Sequence, residues 1–440
     1  MNLIRALHAR RLTQCLSDQQ TFYNRAWTPA EISRWQLAKL NAQWPAICRH
    51  VAYFRQLHQA RQVPDSFDHW QTFQETVPIL DRATIQDHGP LLMSQARSVH
   101  QWRTTGGSTA QPLRISVSKS EVAIARRDLW YGRTQLGIIP SDRMFLLWGH
   151  SHALGHGWKG SYHRYKRHLL DRLLGYDRWP AYEVSPPHLR RAAEALLRHR
   201  PSYLVGYATS LTHLAQVNRD RRPDFHRLGL KCAIATAESF PRPESQQEVA
   251  DILGCPVIME YGAVETGPIA QQQPDGHYTV FWRHYMIEAH PSPHCPGAYD
   301  ILLTSLFPRC LPLIRYKVGD LIRMPLDAGP EQAIHTFATI LGRSHDVVTL
   351  PSGARIHAEA FSHAVKNTHA IHAYQVVQSA PDEVVLCYTA AQPLSAADLA
   401  AIRQRLQRIH AELGHIHIRH VGQLAQTMAG KTQRLVRQAA

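Results

Sequence analysis

Thr105-Gly-Gly-Ser-Thr-Ala-Gln-Pro112 is the most informative stretch of this 440-residue chain. Gly106 and Gly107 allow a tight turn and a close backbone approach to a bulky anion. Thr105, Ser108 and Thr109 add hydroxyl donors. The flanks, Ser98-Val-His-Gln-Trp-Arg-Thr and Leu113-Arg-Ile-Ser-Val-Ser, predict one strand on each side. A glycine-hydroxyl loop between two strands suits a triphosphate. The Gly-Lys-Ser/Thr phosphate loop that opens a helix is absent, so any nucleotide chemistry belongs to another class. Taken alone, such a cluster is more often a solvated turn.

Working outward, the length predicts two domains. The strand–helix alternation of the middle region predicts an α/β architecture with much parallel sheet. Its strands are read at Arg143-Met-Phe-Leu-Leu-Trp, Lys231-Cys-Ala-Ile-Ala-Thr and Pro256-Val-Ile-Met-Glu. Residues 1–90 read as a mainly helical lead-in to a large core over 1–341. From Gly342 the texture changes. Strands at Asp346-Val-Val-Thr-Leu and Glu383-Val-Val-Leu-Cys-Tyr and helices at 358–366 and 395–412 predict a small α+β lid domain over 342–440.

The formal charge of +15, with 29 histidines besides, favours anionic partners. The basic residues are spread along the chain without interleaved aromatics, which argues against nucleic acid. A nucleotide, coenzyme A or an acidic carrier protein accounts for the charge equally well. No segment has the apolar length of a membrane span and the first residues have no apolar secretion core, so a cytoplasmic location is expected. Seven cysteines, none in Cys-x-x-Cys spacing, read as reduced structural thiols. A homodimer is compatible with the sequence.

Four further segments follow the loop: Glu260-Tyr-Gly-Ala-Val-Glu-Thr-Gly, Arg315-Tyr-Lys-Val-Gly-Asp-Leu-Ile-Arg, Leu341-Gly-Arg-Ser-His-Asp-Val-Val and Ala429-Gly-Lys-Thr-Gln-Arg. In this order and spacing the set resembles the adenylate-forming superfamily of acyl-CoA ligases, adenylation domains and luciferases. Ala46-Ile-Cys-Arg-His-Val-Ala-Tyr-Phe-Arg, Val77-Pro-Ile-Leu-Asp-Arg and Leu204-Val-Gly-Tyr-Ala-Thr-Ser are similar to phenylacetate–CoA ligases and their capsule-biosynthesis-type relatives.

The resemblance implies that a carboxylic acid and ATP form an acyl-adenylate and pyrophosphate, and that the acyl group then passes to a thiol. Coenzyme A is the implied acceptor; a carrier-protein thiol or an amine is the variant, and a non-catalytic nucleotide-binding relative the alternative. It places Thr105, Gly106, Gly107, Ser108 and Thr109 around the β- and γ-phosphates, with Ala110 where glycine is usual and Leu113 where many members carry lysine. Glu265 matches the magnesium carboxylate, which suits a hard cation that takes oxygen ligands. Tyr261, followed by Gly262, matches the aromatic against adenine. Val264 stands where a hydroxyl is common: it either packs as an apolar residue or leaves Thr266 as the substitute donor. Asp320 matches the acceptor of the ribose diol and Arg343 a second ribose contact. Glu238, in Thr236-Ala-Glu-Ser, is expected near the nucleotide, and His345 at the hinge.

Trp148, His150 and Tyr207 are expected at the acyl pocket, with the two aromatics walling a planar acid. The spacing of His150, His152 and His156 matches no common zinc pattern. Lys431 matches the lysine that bridges the two anionic reactants, a role suited to a compact ammonium on a long stem. Lys431→Ala is expected to lower adenylate formation by orders of magnitude while sparing transfer from a supplied adenylate. Equal loss in both half-reactions, timed separately, would make the residue structural.

Overall fold

A computed structural model describes residues 3–61, 63–105, 113–149, 157–181, 183, 185–325, 334–366, 368–426 and 432–437. The chain divides into two compact units, each drawn from separate stretches of sequence. One comprises residues 1–11, 133–260 and 342–440; the other comprises 12–132 and 261–341. Among the described residues no helix is long and apolar enough to cross a membrane.

The first unit holds a parallel sheet in the order Tyr176–Trp179, Met144–Leu147, Tyr203–Tyr207, Cys232–Thr236, then the start of Val257–Ala263. The segments Met-Phe-Leu-Leu, Tyr-Leu-Val-Gly-Tyr and Cys-Ala-Ile-Ala are almost wholly apolar, as strands covered on both faces must be. Helix Pro186–His199 shows how the cover is built. Proline starts it, and Leu189, Ala192, Ala193 and Leu196 form one buried stripe at helical spacing. Arg200 then stops it in a left-handed conformation. Within the same unit lies the C-terminal module. Its sheet runs His417–His420, Glu383–Thr389, Ala373–Ala380, Leu435–Arg437, with the central pair antiparallel and both outer pairings parallel. Helices Glu359–Val365 and Ala396–Ile409 contribute Phe361, Ile402 and Leu406 to its separate core. The strands and helices expected from Gly342 onward are present.

The second unit contains the helical lead-in, whose helix Pro29–His50 opens with a Thr28/Glu31 capping box. It also contains the antiparallel hairpin Gln101–Thr104 with Arg114–Val117, the two strands expected to flank the glycine-hydroxyl loop. Strands Tyr285–Pro291, Tyr299–Ser305 and Tyr316–Arg323 form an antiparallel sheet.

Arg315 ties that sheet to the lead-in. Its side chain is buried and forked onto both oxygens of Glu288 at 3.0–3.2 Å. Its Nη1 also donates to the carbonyls of Gln74 and Val77, both at 2.5 Å. The backbone on either side joins in. Leu80 N–H donates to the Arg315 carbonyl at 3.1 Å, and Lys317 N–H to the Leu80 carbonyl at 2.8 Å. Arg315 adopts φ +48, an uncommon conformation for a side-chain-bearing residue, held by these bonds. Arg315→Met leaves a buried carboxylate without its partner and is expected to cost about 3–5 kcal/mol, read as a lower urea midpoint. Adding Glu288→Leu should recover a large part of that loss. A single variant as stable as the parent would show that the fork does not hold the unit together.

Candidate active site

The segment fixed by Arg315 delivers a second arginine. Beyond Leu80, Asp81 caps helix Arg82–Leu92 by accepting from Thr84 N–H at 2.8 Å. Those Thr84 hydrogen bonds hold the Asp81 carboxyl below its usual range. Arg82 therefore starts on the first turn. Its Nη2 donates to Thr105 Oγ1 at 3.2 Å, and its Nη1 lies 3.9 Å from Glu265 Oε1. Thr105 Oγ1 also accepts from Leu113 N–H at 2.9 Å, while Thr105 N–H donates to the Leu113 carbonyl at 2.9 Å. These bonds close the neck of the glycine-hydroxyl loop. Two acceptances leave the Thr105 hydroxyl proton as its remaining hydrogen-bonding function.

Glu265 is held mainly through its backbone. Arg309 Nη2 donates to the Glu265 carbonyl at 2.5 Å, and Arg309 Nη1 to the Thr266 carbonyl at 3.3 Å. Tyr285 Oη donates to the same Thr266 oxygen at 2.6 Å, and burial pushes its phenol well above the ordinary value, so it stays a donor. Glu121 sits behind this clamp, its Oε2 lying 3.3 Å from Arg309 Nε and its Oε1 accepting from Cys310 N–H at 2.8 Å. Gly262 closes the turn from the other side: a Cβ there would lie 2.4 Å from the Gly267 oxygen, so only glycine fits. Among the described residues the Glu265 carboxylate meets a long hydrogen bond from Tyr316 Oη, 3.4 Å, and the distant Arg82 pair. It is a buried carboxylate, preorganised by its backbone and with acceptor capacity to spare.

Beside it, Tyr261 Oη donates to Asp320 Oδ2 at 2.9 Å, and both residues are buried. The Tyr261 ring meets Phe337 edge-on, with centroids 6.1 Å apart. Two expectations about the adjacent turn are corrected. Thr266 does not present a spare hydroxyl: its Oγ1 donates to the Gly267 carbonyl at 2.8 Å and accepts from Ala263 N–H at 3.1 Å. Val264 does not pack as an apolar residue; it is 37% exposed.

In the other unit, Trp148 and Tyr207 come together, with ring centroids 5.0 Å apart at 34°. Trp148 follows strand Met144–Leu147, and Tyr207 ends Tyr203–Tyr207. Both lie at carboxyl ends of parallel strands, where α/β sheets bind ligands. At the end of the next strand, Ala237 adopts φ +70 and Glu238 Oε1 accepts from Thr209 N–H at 2.9 Å. Glu238 thus caps the helix that starts beside Tyr207. Arg343 and His345 belong to this unit too, with exposed side chains on a turn whose Asp346 N–H donates to the Arg343 carbonyl at 3.1 Å. Gly106, Gly107, Ser108, Thr109, His150 and Lys431 lie outside the described residues. The ends of the Lys431 segment are described. Gln375 Nε2 donates to the carbonyls of Ala425 at 2.9 Å and Gln433 at 2.8 Å, and Gln375 Oε1 accepts from Ala425 N–H at 3.1 Å.

Sequence reasoning missed Arg82, Tyr316 and Arg309. Arg82 closes the Val77-Pro-Ile-Leu-Asp-Arg segment and Tyr316 follows Arg315, so both stood inside noted motifs without a role. Arg309 had no signal at all: Phe307-Pro-Arg-Cys reads as an ordinary turn.

Comparison with known proteins bears on the fold. The protein-family profile "CapK C-terminal domain" matches residues 348–438. Protein CapK from Staphylococcus aureus is 20% identical over 249 residues. That match covers 55% of this chain and 52% of CapK, so the chain spans about half the length of that curated relative. A 2-hydroxyisobutyryl-CoA ligase crystallised in its postadenylation state superposes with a TM-score of 0.68 at 19% identity, covering 93% of this chain and 90% of its own. O-succinylbenzoate coenzyme A synthetase from Bacillus subtilis, in complex with ATP and magnesium, gives 0.52 at 16% identity, covering 78% and 70%. The chain therefore has the fold of the adenylate-forming ligases and is similar, over residues 348–438, to the C-terminal domain of CapK.

Proposed function

We propose that this protein activates a carboxylic acid with ATP and then hands the acyl group to a thiol, with coenzyme A as the acceptor. The observation that carries the reading is the Glu265 carboxylate, rigid at its backbone and undercommitted at its oxygens, with Arg82 between it and the neck of the glycine-hydroxyl loop. Carriage of ATP and magnesium by one similarly folded synthetase, and of a CoA ligase activity by another, supports it.

The residues fit magnesium in one manner only. Among the described residues no cluster of three acidic, histidine or cysteine side chains could hold a metal. A single carboxylate sharing the ion with substrate phosphates is the mode that Mg2+ commonly adopts, and Glu265 supplies it. The ion would offset phosphate charge as pyrophosphate leaves.

The chain's own groups do the remainder. Thr105 donates its free proton at the loop neck, and Gly106, Gly107, Ser108 and Thr109 line the β- and γ-phosphates. Arg82 supplies the cation that Leu113 cannot. Asp320, oriented by the Tyr261 hydroxyl, accepts from the ribose, with Arg343 as second contact, while Tyr261 and Gly262 shape the adenine end. Glu238 closes the nucleotide end of the acyl pocket, and Trp148, His150 and Tyr207 bind the acid, whose preferred form is planar or aromatic. Lys431 brings positive charge to the two reacting anions. A carboxylate oxygen then attacks the α-phosphorus and the bond to pyrophosphate breaks. The domain over 342–440 acts as a lid pivoting at His345 over the 1–341 core before the thiol attacks the acyl carbon and AMP leaves. A carrier-protein thiol or an amine is the variant acceptor.

A panel of carboxylic acids with magnesium ATP, scored for pyrophosphate, tests this; release with at least one planar acid is expected. No release with any acid, from protein that still binds ATP, would indicate a non-catalytic nucleotide binder. Glu265→Gln should slow release roughly 100-fold, as loss of one preorganised charge-stabilising group does. Arg82→Gln should weaken ATP binding about 10- to 100-fold, as loss of a charged hydrogen bond does, and leave AMP binding unchanged. Equal weakening of both nucleotides would place Arg82 away from the outer phosphates.

A further inference from the structure

Two helices of the unit that holds the parallel sheet turn apolar side chains to solvent. The first is Gly157–Leu174, between strands Met144–Leu147 and Tyr176–Trp179. Tyr162, Tyr165 and Leu169 recur at helical spacing on one face, with Leu170 beside them. All four are exposed, Tyr165 at 68%. Asp171 stands about half a turn round from Leu169. It is buried, and Arg178 forks onto its two oxygens at 2.8 and 3.2 Å. An ordinary surface helix is seated by its apolar stripe and sends its charges outward. Here an ion pair holds the inner side and the apolar stripe faces out.

The second is the opening of helix Leu3–Asn24, whose residues 3–11 belong to the same unit. Leu3, Ile4 and Leu7 share one side and are exposed, Leu3 at 74%. Arg5, on the other side, turns inward and donates to the Ser141 carbonyl. Its guanidinium also brings the two helices together. A Cβ on Gly175 would lie 3.0 Å from Arg5 Cζ, and Gly175 directly follows helix Gly157–Leu174 at φ +80.

The charge around these apolar residues has one sign. Lys166, Arg167 and Arg172 are exposed on the longer helix, and Arg10 and Arg11 follow Leu7 on the other. Residues 3–11 contain no acid, and residues 157–174 contain one, Asp171, which Arg178 neutralises. Exposed Tyr and Leu rimmed by Lys and Arg suit the headgroup boundary of an anionic bilayer. The apolar groups enter the acyl edge while the cations meet lipid phosphates. A second copy of this chain fits the face poorly, because a two-fold contact would set the basic rim against itself.

We propose that this face is a docking surface for an anionic phospholipid bilayer, on which the protein lies without crossing it. The inference does not depend on the acid-activation reading.

Co-sedimentation of the full chain with vesicles tests it. Vesicles of phosphatidylcholine with about a third phosphatidylglycerol should bind at least about 10-fold more tightly than phosphatidylcholine alone, and the difference should shrink as salt rises. Leu169→Gln with Leu170→Gln should weaken binding to the anionic vesicles about 10-fold or more, through lost apolar insertion. Lys166→Gln with Arg167→Gln should weaken it about 10- to 30-fold. Both pairs are exposed, so their melting temperatures should stay within about 2 °C of the parent. Lys366→Gln with Arg408→Gln removes the same charge from exposed positions of the C-terminal module and should change binding less than about 3-fold.

Equal affinity of the parent for neutral and anionic vesicles would overturn the proposal. So would unchanged binding in the leucine pair, or a loss in the C-terminal charge pair as large as in Lys166→Gln with Arg167→Gln. Sedimentation without vesicles supplies a further decision: a parent dimer that the leucine pair turns into a monomer would assign the face to a second copy instead.

Discussion

The unit that holds the Glu265 turn depends on one buried guanidinium. Arg315 forks onto Glu288 and reaches two carbonyls of the helical lead-in more than 230 residues earlier in sequence. A charge removed from water must be matched by good geometry, and here both carboxylate oxygens and two carbonyl oxygens match it. The consequence is positional. Leu80 is stitched to Tyr316 as an isolated parallel bridge, Asp81 caps the next helix, and Arg82 emerges beside Thr105 and Glu265. A fold-level ion pair thereby sets the place of the Arg82 guanidinium.

The Glu265 turn follows a related logic. Polar groups buried behind it are bound to one another and to its backbone: Glu121 to Arg309, Arg309 and Tyr285 to the two carbonyls. Satisfying the backbone from behind leaves the carboxylate free of structural duty. A ligand-binding group must be held still without its own valences being used up. Thr266 shows the converse, since a hydroxyl that braces its own turn has nothing left for a phosphate.

The C-terminal module repeats the division of labour. Gln375 bonds to Ala425 and Gln433 on either side of the segment that carries Lys431, while Phe361, Val376 and Leu406 supply an independent core. A module with its own core can change its contacts without unfolding.

The sequence alone determined the alternation of strands and helices, because short apolar runs such as Met144–Leu147 and Cys232–Thr236, separated by longer helical stretches, suit strands covered on both faces of a parallel sheet. It also determined which residue types could serve anions, through short motifs whose glycines and carboxylates act locally: Gly262 has no room for a Cβ, and Asp320 offers two acceptors. What only the tertiary structure decided is which of these groups are free to act and which are spent on the fold. Thr266 and Val264 lost their expected roles, and Arg82 and Arg309 acquired theirs because their partners lie tens to hundreds of residues away along the chain. A hydrogen bond spanning tens to hundreds of residues leaves no local pattern to read; it exists only once the backbone has brought its two ends together.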